Sequence, residues 1–408
     1  MHHHAPASKN QRWGAVFPLR LPQTIINTFS RWSINAASIV FTRVGLWWHA
    51  VLARRDSASH SSLRLWSRVA AAGGPSPTTM HHHARGVTDI ALSSDGRLLA
   101  SASCDCTVKL WNLDTNQLLA TKEPDSGSPN HVWAVAFAPN GSVFAAGSTD
   151  GSIRIWEAST SSNGGEGVPA TRIPAHCPKP VKALAFSPDG ALLASGSGDG
   201  EVKLWAWRDG VELKQRCFPG RGVAGVSKLA FSPDGRHLAC ASEEQTVSLW
   251  DVAAWALTAR LAGCGGDARG LAYSGDGRWL AHADGNTKVK IAEIKVGECI
   301  ALAGRVQEMD LGQAVYDVSF SHDGRLLAVA LGCGAVEILE RENGKPVGTL
   351  RGFSGAATAV AFSRDSRILV SGSWDSSVKL WRAESKFGLR DYWAAFTGGL
   401  RRAWPFGR

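Results

Sequence analysis

The chain has 408 residues, of which 44% are hydrophobic and 19% charged, with 44 Gly and 17 Trp beside only 3 Tyr. That composition excludes collagen and whole-chain disorder, and the length suits either two or three ordinary domains or one large β architecture. The net charge of +9 is concentrated at the ends: residues 1–79 carry nine Lys/Arg against Asp56 alone, residues 382–408 carry six against two acids, and the stretch between them is net −3.

Residues 1–61 form a basic extension nearly free of acid and rich in Arg and Ser. Such a segment reads as an organelle transit peptide does, or as a disordered basic arm. Met80-His-His-His-Ala84 repeats Met1-His-His-His-Ala5, which also fits a start site placed too early. Three consecutive histidines cannot all reach one metal from one short segment, so no metal is expected there. The longest apolar stretch, Ile34 to Ala53, is broken by Arg43 and His49, and no transmembrane helix is expected. The cysteines at 104, 106, 177, 217, 240, 264, 299 and 333 make no compact framework, which favours a reducing compartment. The expected location is cytoplasmic or nuclear, with organelle import through the basic N-terminus as the alternative.

Beyond the extension one pattern recurs seven times: a hydrophobic strand, a Ser-Pro-Asp-Gly-like turn, a Leu-Ala-Ser strand and a Val-Lys-Leu-Trp strand. The turns centre on Asp95, Asn140, Asp189, Asp234, Asp276, Asp323 and Asp365, a mean period of 45 residues. Sixteen residues after each stands Trp111, Trp156, Trp205, Trp250, Ala292, Leu339 and Trp381. A repeat of this kind is one supersecondary unit that must stack on its neighbours. Val181 to Phe186 alternates as a strand does, Ser187-Pro-Asp-Gly190 supplies a preset φ and a positive φ for the turn, and Glu201 to Trp205 closes the unit. The copies centre near residues 87–121, 132–174, 181–217, 226–261, 268–303, 315–350 and 357–381, within a domain over 62–381.

Phe231-Ser-Pro-Asp-Gly-Arg-His-Leu-Ala-Cys-Ala-Ser242, closing on Leu249-Trp-Asp251, resembles a WD40 repeat. The resemblance covers residues 83 to 381 and implies an all-β fold, a seven-bladed β-propeller of four-stranded antiparallel blades. It also implies a buried network joining the third-strand Trp to a Ser or Thr, a hairpin Asp and a His from the preceding loop. Mapped onto this chain, the set is complete as His83, Ser103, Asp105 and Trp111, and again as His176, Ser197, Asp199 and Trp205. The second copy keeps Ser148, Asp150 and Trp156 with His131 displaced, and the seventh keeps Ser373, Asp375 and Trp381 with Phe353 near the His position. The fourth keeps Ser242 and Trp250, with Glu244 replacing Asp. The fifth (Asp284, Asn286, Ala292) and sixth (Leu331, Cys333, Leu339) depart from the set and are expected to be the softest sector.

After Trp381 the last blade still needs an outer strand, because an open edge exposes unpaired backbone groups. Two segments compete for it. Leu63-Arg-Leu-Trp-Ser-Arg-Val69 alternates well and is preferred, while Phe387-Gly-Leu-Arg-Asp-Tyr-Trp393 stands where fourth strands fall in other repeats. The remaining tail, 382–408, is basic and aromatic, and reads as a disordered tail or a surface-docking element.

Catalytic motifs are missing: there is no G-x-x-x-x-G-K-[ST], H-E-x-x-H, G-x-S-x-G or C-x-x-C. Gly263-Cys-Gly-Gly-Asp-Ala268 fits a dinucleotide pattern formally but joins two strands, and Cys104 and Cys106 flank a hairpin turn. No catalytic residue, cofactor or metal is expected. In a propeller the linker into the first strand and the hairpin between the second and third strands open on one rim. That rim should carry His131, Trp133 and Thr149, Lys182, Glu243, Asp267 and Arg269, Tyr316, and Trp374. Trp, Tyr and Arg are enriched among residues that dominate binding energy. The resemblance therefore implies a non-catalytic scaffold that binds a protein or peptide and works within a larger complex. A ubiquitin-ligase substrate receptor is one alternative, although Trp205-Ala-Trp-Arg208 and Trp250-Asp-Val-Ala253 each satisfy only half of the expected Trp-Asp-x-Arg. A nucleic-acid factor acting through the basic tails is another, opposed by the −3 charge of the repeats.

Overall fold

The structure, a computed structural model, describes residues 62–71, 76–123, 130–158, 171–208, 211–212, 225–261, 266–295 and 301–383. The basic extension and the tail beyond 383, including the candidate strand from Phe387 to Trp393, lie outside these residues. The described residues form seven four-stranded antiparallel sheets and one helix, α1 (Ser62–Ala71). Blade one runs outward from Val87–Leu92 through Leu98–Ser103 and Val108–Asn112 to Gln117–Lys122, and blades two to six follow the same order.

Local chemistry sets each blade. In the turn after the inner strand, Ser93 Oγ donates to Asp95 Oδ1 (2.5 Å) and Arg97 N donates to the same oxygen (3.0 Å), so one carboxylate organises the bend. The Ser–Asp bond recurs at Ser187–Asp189, Ser232–Asp234, Ser274–Asp276, Ser321–Asp323 and Ser363–Asp365. Second strands are the most deeply buried and are rich in small residues; Leu98–Ser103 and Val143–Ser148 are buried along their whole length. Smallness is required: a Cβ on Gly147, Gly196 or Gly372 would stand 2.6, 2.4 and 2.6 Å from the leading valine of the next blade, Val181, Val226 and Val87. The core is accordingly divided into seven clusters, one at each interface between successive blades.

The ring is closed from the N-terminal side, but not by the expected segment. Strand β1 (Thr78–His81) pairs antiparallel with Ser377–Arg382, with Met80 opposite Val378 and buried beside Leu380 and Trp111. Leu63 to Val69, expected to be that strand, lies instead in α1. Its alternation is equally compatible with a helix in which Ser62 and Trp66 share one face, and burial of Trp66 (1% exposed) between blades six and seven decides the matter. The outer position of blade seven is thus filled by β1.

The Trp network is present with a different serine. Trp111 Nε1 donates to Ser101 Oγ (3.0 Å), which also meets His83 Nε2 (2.8 Å), while His83 Nδ1 meets Asp105 (2.8 Å). Blade three repeats the Trp–Ser–His part with Trp205, Ser195 and His176 (2.8 and 2.9 Å), but its expected Asp199 does not join the network: it accepts Glu201 N (3.0 Å), and His176 Nδ1 is buried without a hydrogen-bond partner. The expected Ser103, Ser148 and Ser373 bond instead to backbone carbonyls of the preceding linker, and Ser197 receives the N–H of Asp199. Burial opposes ionisation of Asp105, yet bonds from His83 and Thr107 hold it well below the usual carboxylate range. Blade two, lacking the histidine, pairs Asp150 with the buried Arg154 (2.7 Å). Blade seven sets Phe353 edge-on to Trp381 at 5.8 Å, and Asp375 takes the N–H groups of Ser354 and Ser377. In blade five the position of Ser101 is occupied by the buried His282, and Asp284 still organises its hairpin.

A second buried network crosses the channel. Lys228 on the inner strand of blade four reaches Asp89 of blade one (2.8 Å) and Asp317 of blade six (3.8 Å). Asp89 also accepts Val135 N of blade two and Asp317 accepts Val360 N of blade seven. Burial and the neighbouring Asp89 push the Asp317 carboxyl up to about 6 against the pull of Lys228.

Three outcomes follow from these features. Deleting residues 1–77 should leave a closed, cooperatively melting ring, whereas deleting 1–82 removes β1 and should abolish the cooperative transition in a near-ultraviolet circular dichroism melt. Lys228→Met leaves two carboxylates facing each other and should cost about 3 kcal/mol in urea unfolding, with Asp317→Asn restoring part of it. Burial pushes the imidazoles of His176 and His282 down to about 4. Between their ordinary value of 6.5 and about 4 the unfolded chain therefore binds protons that the folded chain does not, and stability falls as pH falls, by roughly 2 kcal/mol per histidine at pH 5. Asp317, raised, acts in the opposite sense below about 6, so the urea midpoint should fall more steeply with acid in Asp317→Asn and less steeply in His282→Gln.

Candidate binding rim

The rim residues descend from one property of the inner strands. Each begins with a buried residue, Val87, Val132, Val181, Val226, Val315 or Ala357 in six of the blades, and alternation turns the next side chain toward the rim. In three blades that next residue stitches the ring: Thr88 Oγ1 donates to Val132 O (2.6 Å), Thr358 Oγ1 to Val87 O (2.7 Å), and Ser227 Oγ to Ala268 O. In blades two, three and six the same place carries Trp133, Lys182 and Tyr316, which are half-buried.

The structure brings several of the expected residues together. Lys182 Nζ and Glu243 Oε1 form an ion pair at 2.5 Å between blades three and four. Burial would raise the Glu243 carboxyl, but Lys182 and Gly225 N hold it below its ordinary value. Arg269 lies over the ring of Tyr316 at 5.0 Å and stands 3.8 Å from Asp267, linking blades five and six. Trp133 donates its indole N–H to Thr149 Oγ1 (3.1 Å) and meets His131 edge-on at 6.1 Å. His131 is anchored to the neighbouring blade through Nδ1 and Cys104 O (2.7 Å). Trp374 is 44% exposed and packs against Gly86 of blade one, where a Cβ would meet its ring at 2.3 Å. The rim is therefore a chain of local pairs around the channel mouth, with Trp374 its most open apolar group.

The channel network is what the sequence reading missed. Asp89, Lys228 and Asp317 stand one residue beyond the rim position, where blades two, three and seven carry Ala134, Ala183 and Ala359. A charge at a place where other copies use Ala was the available signal. His176, Asp199 and Glu201 also offer three ligand atoms within 4.8 Å of one another, but Lys203 Nζ lies 3.7 Å from Glu201 and already balances its charge.

The comparisons with known proteins agree with this architecture. The sequence pattern of the WD domain, G-beta repeat matches residues 74–112, 122–157, 167–206, 214–251 and 344–382, each match ending one residue past a third-strand Trp. The chain is 34% identical over 101 residues to Transcription factor unc-37 of Caenorhabditis elegans, covering 24% of this chain and 16% of that protein. It is 33% identical over 81 residues to Intraflagellar transport protein 122 homolog of Xenopus tropicalis, 20% of this chain and 7% of the relative. It is 38% identical over 72 residues to the Guanine nucleotide-binding protein subunit beta of Saccharomyces cerevisiae, 17% of this chain and 16% of the relative. The chain thus spans less than a fifth of the length of each of these relatives. No helix among the described residues is long and apolar enough to cross a membrane. The seven blades, the third-strand tryptophan of five of them and the matched repeats together place the chain in the WD40-repeat family, as a seven-bladed β-propeller.

Proposed function

We propose that this protein is a non-catalytic scaffold that captures a protein or peptide segment on the rim bearing His131, Trp133, Lys182, Glu243, Arg269, Tyr316 and Trp374. The observation that carries this reading is the rim itself: Trp133, Tyr316 and Trp374 are absent from all seven core clusters and surround one channel mouth. Trp and Tyr are enriched among binding hot spots, and here two are half-buried and one, Trp374, is exposed. The relatives, a transcription factor, a transport protein and a G-protein subunit, support a role in protein assemblies. A cytoplasmic or nuclear location fits that role. The ubiquitin-receptor reading loses support because Trp207 is engaged within its own blade and Arg208 lies over its ring at 5.4 Å. The tails on which a nucleic-acid role would depend lie outside the described residues.

The test is affinity capture from native extract with the full chain and with a Trp133→Ala, Tyr316→Ala, Trp374→Ala variant, both shown to be folded by circular dichroism. Loss of a specific protein from the variant supports the rim, by a factor of at least about 30 in affinity if one hot spot is removed. An unchanged set of captured proteins overturns it.

A further inference from the structure

On the face opposite the rim, each blade has a place two residues beyond its third-strand Trp position. In blade three it holds Trp207, which donates to Gly190 O (3.0 Å) and stands edge-on to Phe186 at 5.6 Å. In blade six it holds Arg341, whose Nε donates to Gly324 O (2.8 Å). Blade seven has Ala383, which can do neither, and the chain supplies the missing group from elsewhere. Trp66 of α1 donates to Ser366 O (2.8 Å), stands edge-on to Phe362 at 5.8 Å and is buried against Ala383 and Leu326. One helical turn earlier, Ser62 fastens the helix to blade six, through N and Oγ to Asp323 (3.0 and 2.7 Å) and through Oγ to Ser321 (3.2 Å). A Ser-x-x-x-Trp helix is thus the native occupant of the cleft between blades six and seven.

The cleft between blades four and five is built from the same positions. Ser232 and Asp234 stand where Ser321 and Asp323 do, Tyr273 where Phe362 does, Gly277 where Ser366 does, and Ile294, which has no donor, where Ala383 does. They line a cavity of about 300 Å³, within the range of small binding sites. Two further observations point to an occupant. The Tyr273 hydroxyl is buried with no hydrogen-bond partner, an unfavourable state that an occupant would relieve. The outer strand of blade four, Ala256–Leu261, carries Leu257 at 39% exposure, whereas the matching strand of blade six, Pro346–Leu350, packs Val347 and Leu350 with Trp66.

We propose that the cleft between blades four and five is a docking site for a helix of a partner protein that carries Ser or Thr in its first turn and Trp four residues later. The hydroxyl bonds Asp234 and Ser232, the indole N–H bonds Gly277 O, and the ring stands edge-on to Tyr273. Where α1 meets Phe362 and Leu326, this cleft presents Tyr273 and His237, so its occupant carries a hydrogen-bonding group beside the indole. The α1 sequence supplies the serine and tryptophan contacts and so serves as a weaker mimic of the occupant, but it leaves the tyrosine hydroxyl unpaired, and the site is therefore assigned to a partner.

The probe is a fluorescein-labelled peptide of the α1 sequence, residues 61–72, titrated into the full chain and read by anisotropy, with a second peptide in which Trp66 is alanine. Saturable binding is expected, weakened at least about tenfold by the alanine peptide and by Ile294→Trp, which sets in the cleft the indole that blade three carries at Trp207. Asp234→Asn is the second variant and should weaken binding without adding bulk, so a folding defect in Ile294→Trp leaves the test intact. No saturable binding, or binding that both variants leave unchanged, overturns the proposal. A dimer of the chain that Ile294→Trp returns to monomer in sedimentation assigns the cleft to a second copy and also overturns it.

Discussion

The pairing of β1 with Ser377–Arg382 is the contact on which the other six blades depend. A single blade cannot bury both of its faces, because its inner and second strands present Ala, Val and Leu on both sides. Each blade therefore borrows half of its core from the next, and the series is stable only when it returns to its beginning. Four residues, Thr78–His81, make that return. Met80 is their anchor, and Lys379 Nζ donates to Thr79 Oγ1 (3.0 Å) at the same edge.

Closure by one short strand would be fragile if the blades met only through apolar contact. Two polar systems add registry. The hydroxyls of Thr88, Thr358 and Ser227 tie inner strand to inner strand, and the Asp89–Lys228–Asp317 triad spans the channel and holds five blades through its backbone bonds. Buried charges of this kind add little net stability but make wrong registers expensive. The repeated Trp network varies freely around this frame. Arg154 replaces a histidine in blade two, Phe353 does so in blade seven, and Cys240 stands in the serine place in blade four, its thiol pushed up to about 12 by burial.

How much of this was legible follows from the kind of signal each feature leaves. Seven turns at a fixed offset from seven third-strand positions specify the propeller, since offset and alternation are properties of sequence alone. The serine of the Trp network was not legible. Ser101-Ala-Ser103 and Ser195-Gly-Ser197 each offer two serines on the same face of one strand. Only the register, with Leu99 opposite Trp111, shows that the indole reaches Ser101. The helix at Ser62 was misread for a related reason: Leu63 and Leu65 alternate, and the three-dimensional cleft that receives Trp66 leaves no trace in the segment itself. For the rim, residue types and positions could be read, but the pairings of Lys182 with Glu243 and Arg269 with Tyr316 join residues from different repeats, and these depend on ring curvature.

The location of β1 has a consequence for how the molecule is made. Thr79 and its partner Lys379 are 300 residues apart, so the first strand of the propeller to leave the ribosome is the last to find its neighbour. Until then it is a short unpaired segment, and the leading edge of blade one is exposed through the synthesis of six further blades. Such long-range pairing is slow to form. The ring therefore closes only after Ser377–Arg382 has been made, and a premature stop before Ser377 yields a chain with two open edges.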